Sequence, residues 1–201
     1  EPEEFVQEIL VAGLDASGRR QDRVLRGAVV VLEYPELKVV EVRTAEAPAE
    51  FPYVPGLLSF RELPVLLVAL EKLTLTPDLL FMDGQGIAHP RRFGVASHLG
   101  VLTQVPTIGC AKSRLCGLHS SVGVEPGAYS DLVDEGEIIG VALRTRMGSA
   151  PIYISIGHNV DLPAAMTWAT RCLKRFRLPE PARLAHQAAG GRLLEGRHDL
   201  V

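Results

Sequence analysis

No run of apolar residues in this chain approaches the roughly 20 needed to cross a bilayer, and its opening EPEEF is acidic where a signal peptide is cationic. Cysteine is scarce and odd in number. Cys110, Cys116 and Cys172 lack CxxC spacing, so neither a disulfide framework nor a zinc site is indicated. Aromatic residues make up only 5% against 47% hydrophobic residues, which predicts an aliphatic sheet between helices rather than a disordered or fibrous chain. Internal repeats and low-complexity linkers are also missing. These absences point to a soluble intracellular protein with no membrane partner, cytoplasmic, with a nuclear location also open for a eukaryotic chain. A length of 201 residues suits a single α/β domain spanning 1–201.

Acidic residues are absent from one long segment. The formal net charge is -3, yet Gly84 to Val124 contains no Asp or Glu while carrying Arg91, Arg92, Lys112 and Arg114. A second basic cluster is Arg171, Lys174, Arg175 and Arg177. Either group could be ordinary solvated surface, or could meet phosphates locally on a near-neutral protein.

Periodicity predicts a mixed sheet flanked by helices. EILVAGLDAS (8–17) reads as a buried strand, and GAVVVLEY (27–34) and KVVEVRTAE (38–46) as an antiparallel hairpin around Pro35-Glu36-Leu37. DLLFMD (78–83) and PTIGC (106–110) are further strands, with EIIGVALRT and IYISI as late ones. Helices are expected over 65–73, 94–103, 162–176 and 180–193.

Asp15 and Asp83 each end a strongly apolar strand, where polar residues of an α/β sheet line the functional crevice. Each alone could cap a turn, as in Asp83-Gly84 or Asp15 ahead of Ser17-Gly18. On adjacent parallel strands the pair would converge, and a divalent cation is the simplest way to keep both ionised. Glu62 has two readings. Ser59-x-x-Glu62 fits a capping box, whereas Pro64 favours a helix starting near itself, with Glu62 at the entrance pointing into the crevice. In PYVPG, two prolines stiffen the chain around Tyr53, which can lie over the core edge or serve as a stacking platform. His89 lies six residues beyond Asp83 in the acid-free segment, and Lys112 sits just past a short strand, where a cation could stabilise a phosphate.

Four blocks, PYVPGLLSFRE, MDGQGIAHPRRFGVASHLGV, PTIGCAKSRLCG and RLPEPARLAH, together resemble the endonuclease V family from about Val11 to Gln187. The resemblance implies a ribonuclease H-like α/β fold. It implies an endonuclease that recognises a deaminated base, chiefly inosine, in DNA or RNA. Such an enzyme hydrolyses the second phosphodiester bond on the 3′ side, leaving a 3′-hydroxyl and a 5′-phosphate. By the same resemblance Asp15, Glu62 and Asp83 are metal-binding carboxylates, Lys112 is the cation beside the reacting phosphate, and His186 falls near a second metal position. Tyr53 matches a wedge residue, and Gly56, Leu58, Gly86, His89, Gly94 and Val95 match positions around the extruded base. Two departures are Gln85, where histidine or asparagine is commoner, and Cys110, where valine is usual.

The implied cofactor is Mg²⁺, with Mn²⁺ able to substitute, and the implied partner is inosine-containing DNA or RNA. No protein partner can be read from the sequence. Backbone donors near Gly56, Leu58 and Gly94 would receive the O6 of hypoxanthine. The rival readings are a non-cleaving inosine-binding module and another ribonuclease H-like nuclease or resolvase. The first would tolerate loss of a carboxylate and the second would lack PYVPG.

Overall fold

The structure, a computed structural model, describes residues 8–193 and 195–197. A nine-stranded sheet runs through it in the order β6-β7-β8-β5-β4-β1-β2-β3-β9. Its centre is β1 (Ile9–Ser17), paired in parallel with β4 (Leu79–Met82), which in turn pairs in parallel with β5 (Thr107–Ala111). β2 (Val24–Tyr34) and β3 (Lys38–Pro48) extend one side as the expected antiparallel hairpin, and β9 (Gly196–Arg197) adds two residues at that edge. β6 (Tyr129–Asp134), β7 (Glu137–Leu143) and β8 (Ile152–His158) complete the other side, all antiparallel.

Both faces of the central strands are buried, which is why they read as unbroken aliphatic runs. Along β2, Ala28, Val30 and Leu32 join one core layer while Val29 and Val31 join the other. α1 (Leu58–Glu71) and α2 (Val95–Thr103) cover the second layer, whereas α3 (Leu162–Arg171) and α4 (Glu180–Ala189) cover the first. Leu63 and Leu66 of α1, one turn apart, are buried there, worth about 1.5–3 kcal/mol each by transfer. The closing helices are shorter than their apolar spacing predicts. α3 starts at an Asp161 side chain that accepts from the Ala164 N–H at 2.7 Å, and α4 stops ahead of Gly190-Gly191, Gly191 having φ 73.

Two expectations are corrected. α1 begins at Leu58 rather than near Pro64, which lies inside it, and no side chain caps its start, so the Ser59–Glu62 capping box does not form either. Pro64 removes the bond its N–H would have made to Phe60, but it is exposed, where water can take the freed carbonyl. The first turn is held instead by Arg61, which is buried although charged. Its guanidinium donates to the carbonyls of Phe51 (2.8 Å), Asp22 (2.9 Å) and Arg19 (3.2 Å). The second correction is β6, which the sequence pattern did not reveal. Leu132 is its only fully buried residue, and its two aspartates break the apolar alternation. The cue was the turn: Glu135 (φ 51) and Gly136 (φ 84) form a two-residue hairpin loop with both φ positive.

Candidate active site

The parallel pairing of β1 and β4 sets the centre of the site. Leu14 lies opposite Met82, and the Asp83 N–H donates to the Leu14 carbonyl at 3.0 Å, so Asp15 and Asp83 leave neighbouring strands side by side. Asp15 is still within β1, which disposes of its role as a turn cap. α4 crosses this edge and brings His186, whose Nδ1 stands 2.8 Å from Asp15 Oδ2 and 3.9 Å from Asp83 Oδ2. Lys112, the first residue past β5, pairs through Nζ with Asp83 Oδ2 and stands 3.3 Å from His186 Nδ1. An Nδ1–H donating to Asp15 leaves no lone pair for the ammonium, so the hydrogen bond of Lys112 goes to Asp83.

Each of Asp15, Asp83 and His186 offers a ligand atom, and the three atoms lie within 4.8 Å of one another. Glu62, on α1, is outside that triplet but close enough to feel it. Burial, with the charges of Asp15 and Asp83 added, pushes its carboxyl up to about 8. Burial and the Asp83 charge raise Asp15 to about 6. Both shifts express negative charge crowded into a dry place with too little to neutralise it. Oxygen donors with one imidazole, in excess negative charge, fit a hard divalent cation.

Beside this cluster opens a cavity of about 370 Å³, within the range of small-molecule sites. Glu62, Asp83 and Lys112 line it together with Tyr53, Gly56, Leu58, Gly94 and Val95. His89 also lines it, buried, and ties two walls together. Its Nδ1 accepts from the Arg91 N–H at 3.1 Å, which leaves the proton on Nε2 to donate to the Gly56 carbonyl at 3.1 Å. Gly56 itself has φ 77, a conformation that favours glycine. Gly86 is not on the wall. It lies beneath, where an added Cβ would come within 1.9 Å of the Ile156 carbonyl oxygen. Its N–H donates to Ser155 Oγ and its carbonyl receives the Gly94 N–H, both at 2.9 Å.

Three residues support the site through contacts that the sequence reading did not give. Arg177, grouped there with a basic cluster, donates instead to the carbonyls of Lys112 (2.7 Å), Ala150 (2.8 Å) and Pro151 (2.8 Å), fixing the backbone that carries the lysine. Gln85 holds the same loop from the other side by donating to the Ser113 carbonyl at 2.8 Å, while its Oε1 is buried without a partner. Arg61 is the third, and its only cue was its place beside Glu62. The sequence marked Gln85 only as a departure from the family pattern, and no local signal gives the partners of Arg177 or Gln85, because their acceptors lie 26 or more residues away.

Carboxylates gathered at the ends of parallel strands, with a cation against them and a pocket alongside, place the chain among enzymes that hydrolyse phosphodiesters. Comparison with known proteins narrows that class. A family model described as Endonuclease V matches residues 1–187. The Endonuclease V of Rippkaea orientalis is 50% identical over 190 residues, covering 94% of this chain and 83% of the relative. The crystal structure of the Streptomyces avermitilis Endonuclease V superposes with a TM-score of 0.86 at 42% identity, covering 90% of this chain and 80% of the other. A Ciona intestinalis Endonuclease V, in complex with a 24mer DNA containing an inosine followed by a ribo-adenosine, gives 0.78 at 29% identity, covering 93% and 87%. The chain belongs to the Endonuclease V family and is an endonuclease, with the mixed-sheet α/β fold of that family's structures. Among the described residues no helix is long and apolar enough to cross a membrane.

Proposed function

We propose that this endonuclease acts on inosine in DNA or RNA and hydrolyses the second phosphodiester bond on the 3′ side, with Mg²⁺ as its cofactor. The observation that supports the reading is a base-sized pocket lined by Tyr53, Gly56 and Leu58 together with Glu62, Asp83 and Lys112, Asp83 being shared with the Asp15–Asp83–His186 cluster. The inosine-containing DNA bound by the Ciona intestinalis relative supports the substrate.

Asp15, Asp83, Glu62 and His186 would hold the metal. Bound there, a divalent cation lowers the pKa of water and neutralises charge on a leaving oxygen, and Mn²⁺ suits the same donors. Lys112 meets a phosphate oxygen beside Asp83, an interaction that strengthens as charge develops on the phosphate. The first amides of α1, at Leu58 and Ser59, have no acceptor within the helix, no side chain caps them, and both residues line the pocket. They are the donors best placed for the O6 of hypoxanthine. The Gly94 N–H is already engaged by Gly86, and the Gly56 carbonyl by His89 and Arg91. An inosine pair is weaker than a normal one, so extruding its base costs less.

The test is cleavage of matched inosine- and adenosine-containing strands in Mg²⁺ or EDTA by wild type, Asp15→Asn and Asp83→Asn. Wild type should cut only the inosine strand, and only with metal, one bond beyond the adjacent linkage. Each variant should lose at least about a hundredfold while still folding, since an amide of similar shape is a poor Mg²⁺ ligand. Efficient cutting by either variant at saturating Mg²⁺ removes these ligands from the reading.

A further inference from the structure

Aromatic residues are few in this chain, yet four rings stand in a continuous row beside the pocket. Phe51 meets Phe60 with centroids 5.5 Å apart, Phe60 meets His98 at 5.4 Å, and His98 meets Phe93 at 5.1 Å. The row bridges α1 and α2, and its last ring, Phe93, is itself part of the pocket lining. Closing the joint between two helices would bury these rings, but Phe60 is 52% exposed and Phe93 43%. His98 does not make the row polar. Its Nδ1 is buried without a hydrogen-bond partner, and burial lowers its pKa, which favours the neutral ring. At the Phe51 end the chain continues to Tyr53, whose ring carries the guanidinium of Arg20 at 4.4 Å from its centroid.

The segments that form the row, 51–61 and 84–124, carry no acidic residue, although Glu50 precedes Phe51 and Glu62 and Asp83 share the pocket lining with Phe93. Arg20, Arg91 and Arg114 are exposed nearby in the fold, Arg114 lining the pocket. A row of exposed ring faces among cations suits a polyanion that also offers flat apolar faces, which describes a nucleic-acid strand. We propose that Phe51, Phe60, His98 and Phe93 form a stacking track for the bases flanking the nucleotide held in the pocket. This rests on the reading of the pocket as the site of an extruded base. The track gives sequence-tolerant grip, because every base has a face to stack and none has its edge read.

Phe60 is the ring to test, since it is outside the pocket and half in solvent. Binding is measured for wild type, Phe60→Leu and Phe60→Trp on a single strand carrying one inosine, in Ca²⁺ to suppress cutting and at one salt concentration. The same strand is then used with flanking bases replaced one at a time by abasic spacers. Phe60→Leu should weaken binding about tenfold, the low end for loss of base stacking, and Phe60→Trp should restore it. The loss should disappear on the one spacer strand that lacks the stacked base, as a double-mutant cycle requires of a direct contact. Wild-type binding by Phe60→Leu overturns the track and returns the row to packing of a helix joint. A loss that persists on every spacer strand also overturns it, since the residue then acts through the fold. An adenosine strand run in parallel separates the two readings. Equal wild-type affinity for both strands sinks inosine recognition, while the Phe60 cycle remains readable on either.

Discussion

At the residue scale, His89 works as a neutral brace. Its ring nitrogens are spent on the Arg91 amide and the Gly56 carbonyl, so a second proton would sit buried on Nδ1 facing an N–H donor. Burial, and the nearby Arg91 charge, lower its pKa from 6.5. Because the folded value lies below the unfolded one, the unfolded chain binds more protons as pH falls. The stability His89 provides is therefore complete above about pH 6.5 and drains away as pH falls through that value towards the folded pKa. An NMR titration should give His89 a midpoint below 6.5, and His89→Gln should flatten the acid limb of a stability-against-pH curve. A midpoint at or above 6.5 would show the ring to be solvated and the brace unreal. Spacing alone marked His89 as notable, but only its two partners distinguish a brace between walls from a group that touches a base directly.

At the scale of elements, α4 sits on β1 at backbone distance. A Cβ on Gly13 would lie 1.8 Å from the Pro181 carbonyl oxygen and 2.9 Å from the Ala182 nitrogen, and the helix presents Ala182, Ala185, Ala188 and Ala189, all buried. Small residues on both sides let the helix approach until His186 reaches Asp15. Gly13→Ala should push α4 away, at a cost of about 1–3 kcal/mol from overpacking, and lower the single-turnover cleavage rate because His186 moves with the helix. Urea unfolding and rapid-quench kinetics measure the two effects. A stable variant with a wild-type rate would mean that the helix position is not critical. Most strands were legible because their apolar runs are local. The start of α1 was not, since Arg61, reaching to Phe51, Asp22 and Arg19, outweighs the preference of Pro64 for a first turn. β6 was missed because an edge strand buries one side chain rather than an alternating set.

On the scale of the whole molecule, folding itself creates the crowding of negative charge. Asp15, Glu62 and Asp83 lie far apart in the unfolded chain, whereas in the fold Asp15 and Glu62 have carboxyls raised by burial and by the charge of neighbouring aspartates. A cation that binds this cluster favours the folded state by mass action, by about 2.7 kcal/mol at a hundredfold excess over its Kd. Ca²⁺ should therefore raise the melting temperature of the wild-type protein by several degrees. Asp83→Asn should show little or no rise, having lost a ligand common to any occupant of the cluster. An identical rise in the variant would place the ion elsewhere on the surface.

What the sequence by itself determined is what depends on neighbours along the chain: aliphatic strands ending in Asp15 and Asp83, Lys112 just past a strand, and Tyr53 held between two prolines. His186 and the pocket positions came from likeness to a family, not from any local pattern. The tertiary structure decided which strand ends are adjacent, because pairing β1 with β4 joins residues nearly 70 apart. It decided that Gly86 supports the pocket from below, that Arg177 fixes Lys112, and that four rings from two helices and their leading loops line up. It also decided the charge state of the site. Burial and the distance between carboxylates move a pKa, and both exist only once distant segments have packed together.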